Sequence, residues 1–240
     1  MIIYPKDWAR IGQPIKLKEI EDTILQILSE INCPYLSFSG GLDSSLMLYF
    51  MLKSYKQVET FTMGISELHP DIKYSKLVVD KFRNIIHKIY IPNREEIEME
   101  KQSTDFEGDE AVRLFYRYVK KYTNEIISCD GIDEYMCGYY DHQKNPTEET
   151  YYNYIKRLQK EQLIPLDRNS GKVKVYLPYL DNRLFLLFSQ IPINEKVDRE
   201  HRKKIMIQMA KGKIPDEIIN RRKYGFCDVF KIKENNNLCE

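Results

Sequence analysis

The chain has 240 residues, 42% of them hydrophobic and 30% charged, with 37 basic against 36 acidic side chains. That length suits one domain, or one domain with a small extension, and is enough for a real hydrophobic core in an ordinary soluble globular protein. A net charge of +1 gives no global pull toward nucleic acid or membrane, and no apolar run is long enough to span a bilayer.

Residues 1–14 read as a short irregular lead without a signal-peptide pattern. From Ile15 to Ile31 apolar residues recur at helical spacing on one face, and Asn32-Cys33-Pro34 ends that helix. Tyr35-Leu36-Ser37-Phe38 is a short apolar run that reads as a buried strand. A glycine turn follows, then a buried helix to about Lys53. Val58 to Met63 alternates and is β-rich, a second strand that Gly64 breaks. The turn His69-Pro70-Asp71 opens a helix, and Asp71 reads as its cap or as a loop anchor. Ile85 to Ile91 is a third strand. A charged helical region runs from Asn93 to about Lys121, with a break near Gly108, and residues 125–128 are a fourth strand.

Strand–helix alternation predicts an α/β fold with a Rossmann-like parallel sheet, covered on both faces. From about Pro146 the pattern turns mainly helical, with segments at 150–162, 181–190 and 197–211, the last basic on its outer side. The organisation predicted is a lead (1–14), one nucleotide-binding domain with a helical C-terminal part (15–232) and a polar tail (233–240). Five scattered cysteines form no CxxC pair, so neither zinc nor a disulfide framework is indicated and a cytoplasmic setting is the expectation.

The chemistry centres on Ser39-Gly40-Gly41-Leu42-Asp43-Ser44-Ser45, set between a strand and a helix. Glycines let the backbone approach an anion, and the first helical turn offers unpaired N–H groups with the positive end of the dipole. Asp43 would repel a phosphate, and makes sense as the holder of a metal ion that bridges to phosphate oxygens. No Walker loop and no G-x-G-x-x-G occurs. A second acidic loop, Cys129-Asp130-Gly131-Ile132-Asp133-Glu134, follows the fourth strand. Three carboxylates in six residues need a cation or donors, and a metal shared with Asp43 would compensate them. A solvated helix N-terminus is the blander reading.

The string SGGLDSS resembles the pyrophosphate (PP) loop of N-type ATP pyrophosphatases, of the adenine nucleotide alpha hydrolase-like class. Four stretches in order resemble the synthetase domain of asparagine synthetases: SGGLDSS, TFTMGISELHPDIKYSKLVVDKF, SCDGIDEYMCGYY, and LPYLDNRL followed by KIPDEIINRRKYGF. The similarity runs from about residue 15 to 228. It implies a magnesium-dependent ligase that adenylates a carboxylate with ATP, aspartate first, releases pyrophosphate and forms an amide with ammonia or another amine. By the same resemblance, Ser39, Gly40, Gly41, Ser44 and Ser45 would hold the departing phosphates, and Asp43 and Asp133 would bind Mg2+. Phe38 and Met63 would line the adenine pocket, while Ser128, Cys129 and Gly131 would contact the nucleotide. Asp130 would stabilise the acyl-adenylate, and Lys223 would stand near the reacting phosphate as a point charge that follows the developing negative charge.

Departures from the family pattern are specific. Asp130 stands for a glutamate and Cys129 for a glycine, while Lys174 and Tyr176 occupy a Glu-x-Arg pair and leave the acceptor acid open. With Ile2 near the start there is no glutaminase cysteine, so the expected nitrogen source is free ammonia, a separate glutaminase or another amine. Rival readings are a β-lactam-synthetase-like amide ligase, a tRNA-modifying pyrophosphatase using Cys129 and Cys137, and a non-catalytic nucleotide module. Nucleic acid and membrane partners are not expected. His69, His87, His142 and His201 are read as structural or solvent-facing, Tyr151-Tyr152-Asn153-Tyr154 as helix packing, and Arg199, Arg202, Lys203 and Lys204 as a solvated basic face.

Overall fold

The computed structural model describes residues 15–103, 105–219, 221 and 230. The lead 1–14, the tail 233–240 and Lys223 lie outside the described residues. The first helix, α1 (Leu17–Ile31), buries Ile20, Ile24, Ile27 and Leu28, one stripe of the helical wheel. It stops at Asn32, whose left-handed backbone (φ 51°) suits a short polar side chain. Strand β1 (Tyr35–Ser37) leads into α2 (Leu42–Ser54), which is apolar nearly all round and accordingly buried on most sides. Then come β2 (Val58–Met63), α3 (Pro70–Val79) and β3 (Ile85–Tyr90). A capping box of Asn93 and Glu96 starts α4 (Arg94–Glu100). Gly108, at φ 94°, makes the predicted break before α5 (Asp109–Val119), and β4 (Glu125–Ile127) follows.

The sheet has the order β3-β2-β1-β4-β5, with every neighbouring pair parallel. The chain builds outward from β1 through β2 to β3, then returns to the other side of β1 with β4. That reversal leaves a crevice at the carboxyl ends of β1 and β4, where open α/β sheets bind ligands. The glycine turn leaves β1 there, and the second acidic loop leaves β4.

Each face of the sheet has its own core. One gathers α1, α2, Leu36, Phe38 and Ile127 with the C-terminal helices. The other holds Phe61, Met63 and Ile126 under Leu114, Phe115 and Val119 of α5. Alternate strand residues feed opposite cores, as the pleat requires.

The C-terminal half departs from expectation in three places. Short helices α6 (Ile132–Tyr135) and α7 (Tyr140–Lys144) precede α8 (Glu148–Leu158), which widens into a π turn at Gln159–Leu163 and continues as α9 (Ile164–Ser170). Pro165 has no N–H and crowds the carbonyl four residues back, so the turn opens and Ile164 N–H reaches Gln159 instead. A fifth strand, β5 (Lys174–Tyr176), pairs with β4 between the expected helical segments 150–162 and 181–190, where no strand was expected. Three residues are too few to show a period; the exposed edge of β4 selects them. Beyond α10 (Asn182–Gln190), the expected helix 197–211 is broken: α11 (Ile193–Lys196) ends early and α12 (Lys204–Ala210) starts late. Between them the Asp198 carboxylate accepts from the Glu200 and His201 amides, and Lys203 is left-handed at φ 55°. The last helix is α13 (Asp216–Ile219).

The histidines are structural, with one exposed exception. His69 caps α3 by accepting from Asp71 N–H, and His87 joins Thr60 on β2 to Ser75 on α3. His142 accepts from the Tyr139 amide, while His201 is exposed. Burial pushes the pKa values of His69 and His142 down to about 4. An unfolded histidine takes its proton near pH 6.5. The folded chain resists that proton, so stability is full above about pH 6.5 and falls as the pH drops toward 4. We expect the unfolding free energy from urea titrations to decline across that window, by at most about 1.4 kcal/mol per pH unit for each of these two histidines. The His142→Gln variant should show a shallower decline than the wild type; identical slopes would remove His142 from the effect.

Candidate active site

The loop after β1 is shaped from within. Gly40 is left-handed (φ 66°), and a Cβ there would lie 2.3 Å from the Ser75 backbone nitrogen, so no other residue fits between the loop and α3. Gly41 N–H donates to Ser39 Oγ at 3.2 Å, and the Ser39 and Ser44 hydroxyls are 3.3 Å apart. The N-terminus of α2 receives no side-chain cap, so its first amides point out of the turn. Ser45 is fully buried, and its hydroxyl has no partner among the described residues.

The loop after β4 curls over this turn. Ser128 Oγ donates to Asp130 Oδ2 at 2.5 Å. Gly131 is left-handed (φ 88°) beneath Leu180, which a Cβ would strike at 2.5 Å. Asp133 lies in the first turn of α6, and its backbone carbonyl accepts from Gly138 N–H at 2.7 Å. Tyr139 donates to Glu134 Oε1 at 2.8 Å and stacks on Tyr154, which supports the reading of the tyrosine run as packing.

The two acidic turns meet on one cation, the ammonium of Lys203. Its Nζ lies 2.5 Å from Asp43 Oδ2 and 2.8 Å from Asp133 Oδ1. Burial alone would drive the proton off, but Asp133 and Asp43 outweigh it and raise the pKa above the usual lysine range. Lys203 is 5% exposed, so the expectation of a solvated face is wrong for this residue. Arg202 donates to Gly138 O at 2.7 Å with its guanidinium over Tyr140, and the broken helix between α11 and α12 turns Lys203 inward. No periodicity in the sequence distinguishes Lys203 from its exposed neighbours.

The other expected residues divide. Phe38 and Met63 end adjacent strands, but their side chains are buried in opposite cores. Cys129 is held well above the usual thiol range, first by burial and then by Asp43 and Asp130; burial pushes Cys137 up to about 11. Lys174 and Tyr176 do not reach the crevice: Tyr176 OH donates to Glu125 at the amino end of β4, and Lys174 sits over the Tyr176 ring. Their charge change is absorbed at the sheet edge.

Arg221 was not singled out from its sequence. Its side chain is 4% exposed; Nη1 donates to Ser39 O at 2.7 Å, Nη2 pairs with Asp71, and the guanidinium covers the Tyr74 ring. Asp71 is therefore the loop anchor rather than the cap. One planar fork fastens the glycine turn to α3 two residues before Lys223, a geometry that a lysine cannot copy. We expect Arg221→Lys to weaken ATP binding about tenfold, or about 1.4 kcal/mol, by calorimetry; unchanged affinity would deny this fork any part in shaping the turn.

Asp43 and Asp133 fit a divalent cation. Their carboxylates already converge on one charge, and Asp43 Oδ1 is buried without a partner among the described residues.

The asparagine synthase family model matches residues 34–175 and 148–240. Among curated proteins, the glutamine-hydrolysing asparagine synthetases of Bos taurus and Gallus gallus are each 25% identical over 216 residues, and that of Homo sapiens is 24% identical. The matches cover 79% of this chain and 38% of each relative, so the chain spans less than two fifths of their length.

Proposed function

Since the chain belongs to the asparagine synthase family, we propose that it is an ATP-dependent, AMP-forming carbon–nitrogen ligase that activates a carboxylic acid, aspartate first, and joins it to ammonia or another amine. The observation that carries this reading is the convergence of Asp43 and Asp133, 90 positions apart in sequence, on a single cation at the carboxyl ends of β1 and β4.

The glycine turn and the open amides of α2 receive the β and γ phosphates, with Ser39 and Ser44 as further donors. Asp43 and Asp133 hold the divalent ion, which supplies charge neutralisation at the phosphates when bound. The substrate carboxylate oxygen attacks the α phosphorus, the bond to the β phosphate breaks, and pyrophosphate leaves. Asp130, to which Ser128 donates, is the group that steadies the acyl-adenylate. The amine nitrogen then attacks the acyl carbon, the acyl–phosphate bond breaks, and AMP leaves. Lys223, outside the described residues, completes the charge around the reacting phosphate in this scheme. Ammonia or another amine supplies the nitrogen in this scheme.

The sulfur-transfer reading is the weaker one, because a relay needs thiolates and burial disfavours the charged form of both Cys129 and Cys137. A screen of carboxylic acids with Mg2+ and ATP, with and without ammonium, tests the proposal. Acid-dependent release of pyrophosphate and AMP, with amide formed only when ammonium or another amine is added, is the expected result. Hydrolysis to ADP, or no acid dependence across the screen, would overturn it.

A further inference from the structure

Lys203 occupies the position where the proposed metal would sit. Its ammonium touches both candidate ligands, at 2.5 and 2.8 Å, while its side chain is 7% exposed. Asp43, Asp133 and Lys203 together carry a net charge of −1, so the cluster still favours a further cation. A divalent ion cannot share the space with an ammonium already bonded to the same two carboxylates. The phosphates of ATP change that balance, since they offer Lys203 new acceptors beside its present ones.

We propose that Lys203 is a built-in gate on metal loading: its ammonium holds the Asp43–Asp133 site closed to divalent ions until nucleotide phosphates draw it away. The inference rests on the metal role proposed above for those two aspartates. It makes metal and nucleotide binding cooperative, because each removes a cost that the other would meet alone. It also ties the event to the C-terminal helices. Lys203 is the left-handed residue that starts α12, and Arg202 beside it grips Gly138, so release of the ammonium shifts the start of α12 against the second loop.

Mn2+ is the probe, titrated into nucleotide-free protein and followed by the signal of free Mn2+ in electron paramagnetic resonance. The wild type should bind weakly, and Lys203→Gln at least ten times more tightly. Adding Asp43→Asn to that variant should abolish the gain. In parallel, acylation of lysine amines read by mass spectrometry should leave Lys203 of the wild type unlabelled, with or without Mn2+. That measurement keeps the idea open to refutation even where the variant does not fold. Equal Mn2+ affinity in the wild type and Lys203→Gln, or labelling of Lys203 on addition of Mn2+ alone, would overturn the gate. If the wild type still takes up Mn2+ with ATP in an Asp43-dependent way, the metal site survives that failure. If the gain in Lys203→Gln persists without Asp43, the ion is held elsewhere and the metal reading falls too.

Discussion

Asp133→Asn is expected to cut acid-dependent pyrophosphate release by roughly a thousandfold while leaving the chain folded. Asparagine keeps the shape of the side chain and removes its charge. Two losses follow at one position. The divalent ion loses one of two anionic ligands, and losing one preorganised partner of a developing anion in an oxyanion hole costs about 2.7–4 kcal/mol, which sets the scale here. Lys203 loses one of its two carboxylates but keeps Asp43 at 2.5 Å. The folding cost is then about 1–3 kcal/mol, that of one weakened buried contact, and not that of an orphaned charge. Rate and urea midpoint measured on the same preparation separate the two effects. Activity within tenfold of the wild type would remove Asp133 from the metal site.

Gly138→Ala should place a methyl group directly against the two acidic turns' shared contact. A Cβ at this position would lie 1.9 Å from Asp133 Oδ1 and 2.4 Å from Lys203 Cε. The conflict is one of packing, not of backbone strain, so it can be relieved only by moving the atoms that make the site. Overpacking of this kind costs about 1–3 kcal/mol. For a chain of this size that is a fall in melting temperature of about 2–12 °C. The larger effect is on binding: if Asp133 retreats, Lys203 and the metal position are disturbed together, and binding of Mg2+–ATP should be lost to calorimetry. A variant that melts low yet binds normally would mean that the loop yields elsewhere.

Both expectations depend on residues that differ in how openly the sequence announced them. Asp43 and Asp133 stood out because carboxylates in a phosphate loop, or three in six residues, are electrostatically costly without a cation. Gly138 lies in a stretch matched to the family, but nothing in its local pattern says what it must avoid. Lys203 looked like one of four basic residues on a helix face, and its helix was placed seven residues too early. The turn held by Asp198 breaks that helix, and three-dimensional contacts with Gly138 and the two aspartates then reward the inward rotamer. Arg221 was passed over beside Lys223 for the same reason, since its partners lie 150 and 182 positions away.

Local order, by contrast, was readable. Four strands and the helices α1 to α5 follow from apolar spacing, Gly and Pro punctuation and caps, all of which act over a few residues. The fifth strand does not, because three residues carry no period and only the free edge of β4 selects them. Lys174 and Tyr176, read as departures that bear on the acid, turn out to face Glu125 at the far end of β4. By itself the sequence determined an alternating α/β chain with two acidic turns suited to phosphate and metal. Tertiary structure alone decided that the turns meet, because only the reversal of strand order at β1 sets them side by side. It alone also decided which buried cation neutralises them, since that choice is made by charges brought together across 160 residues of chain.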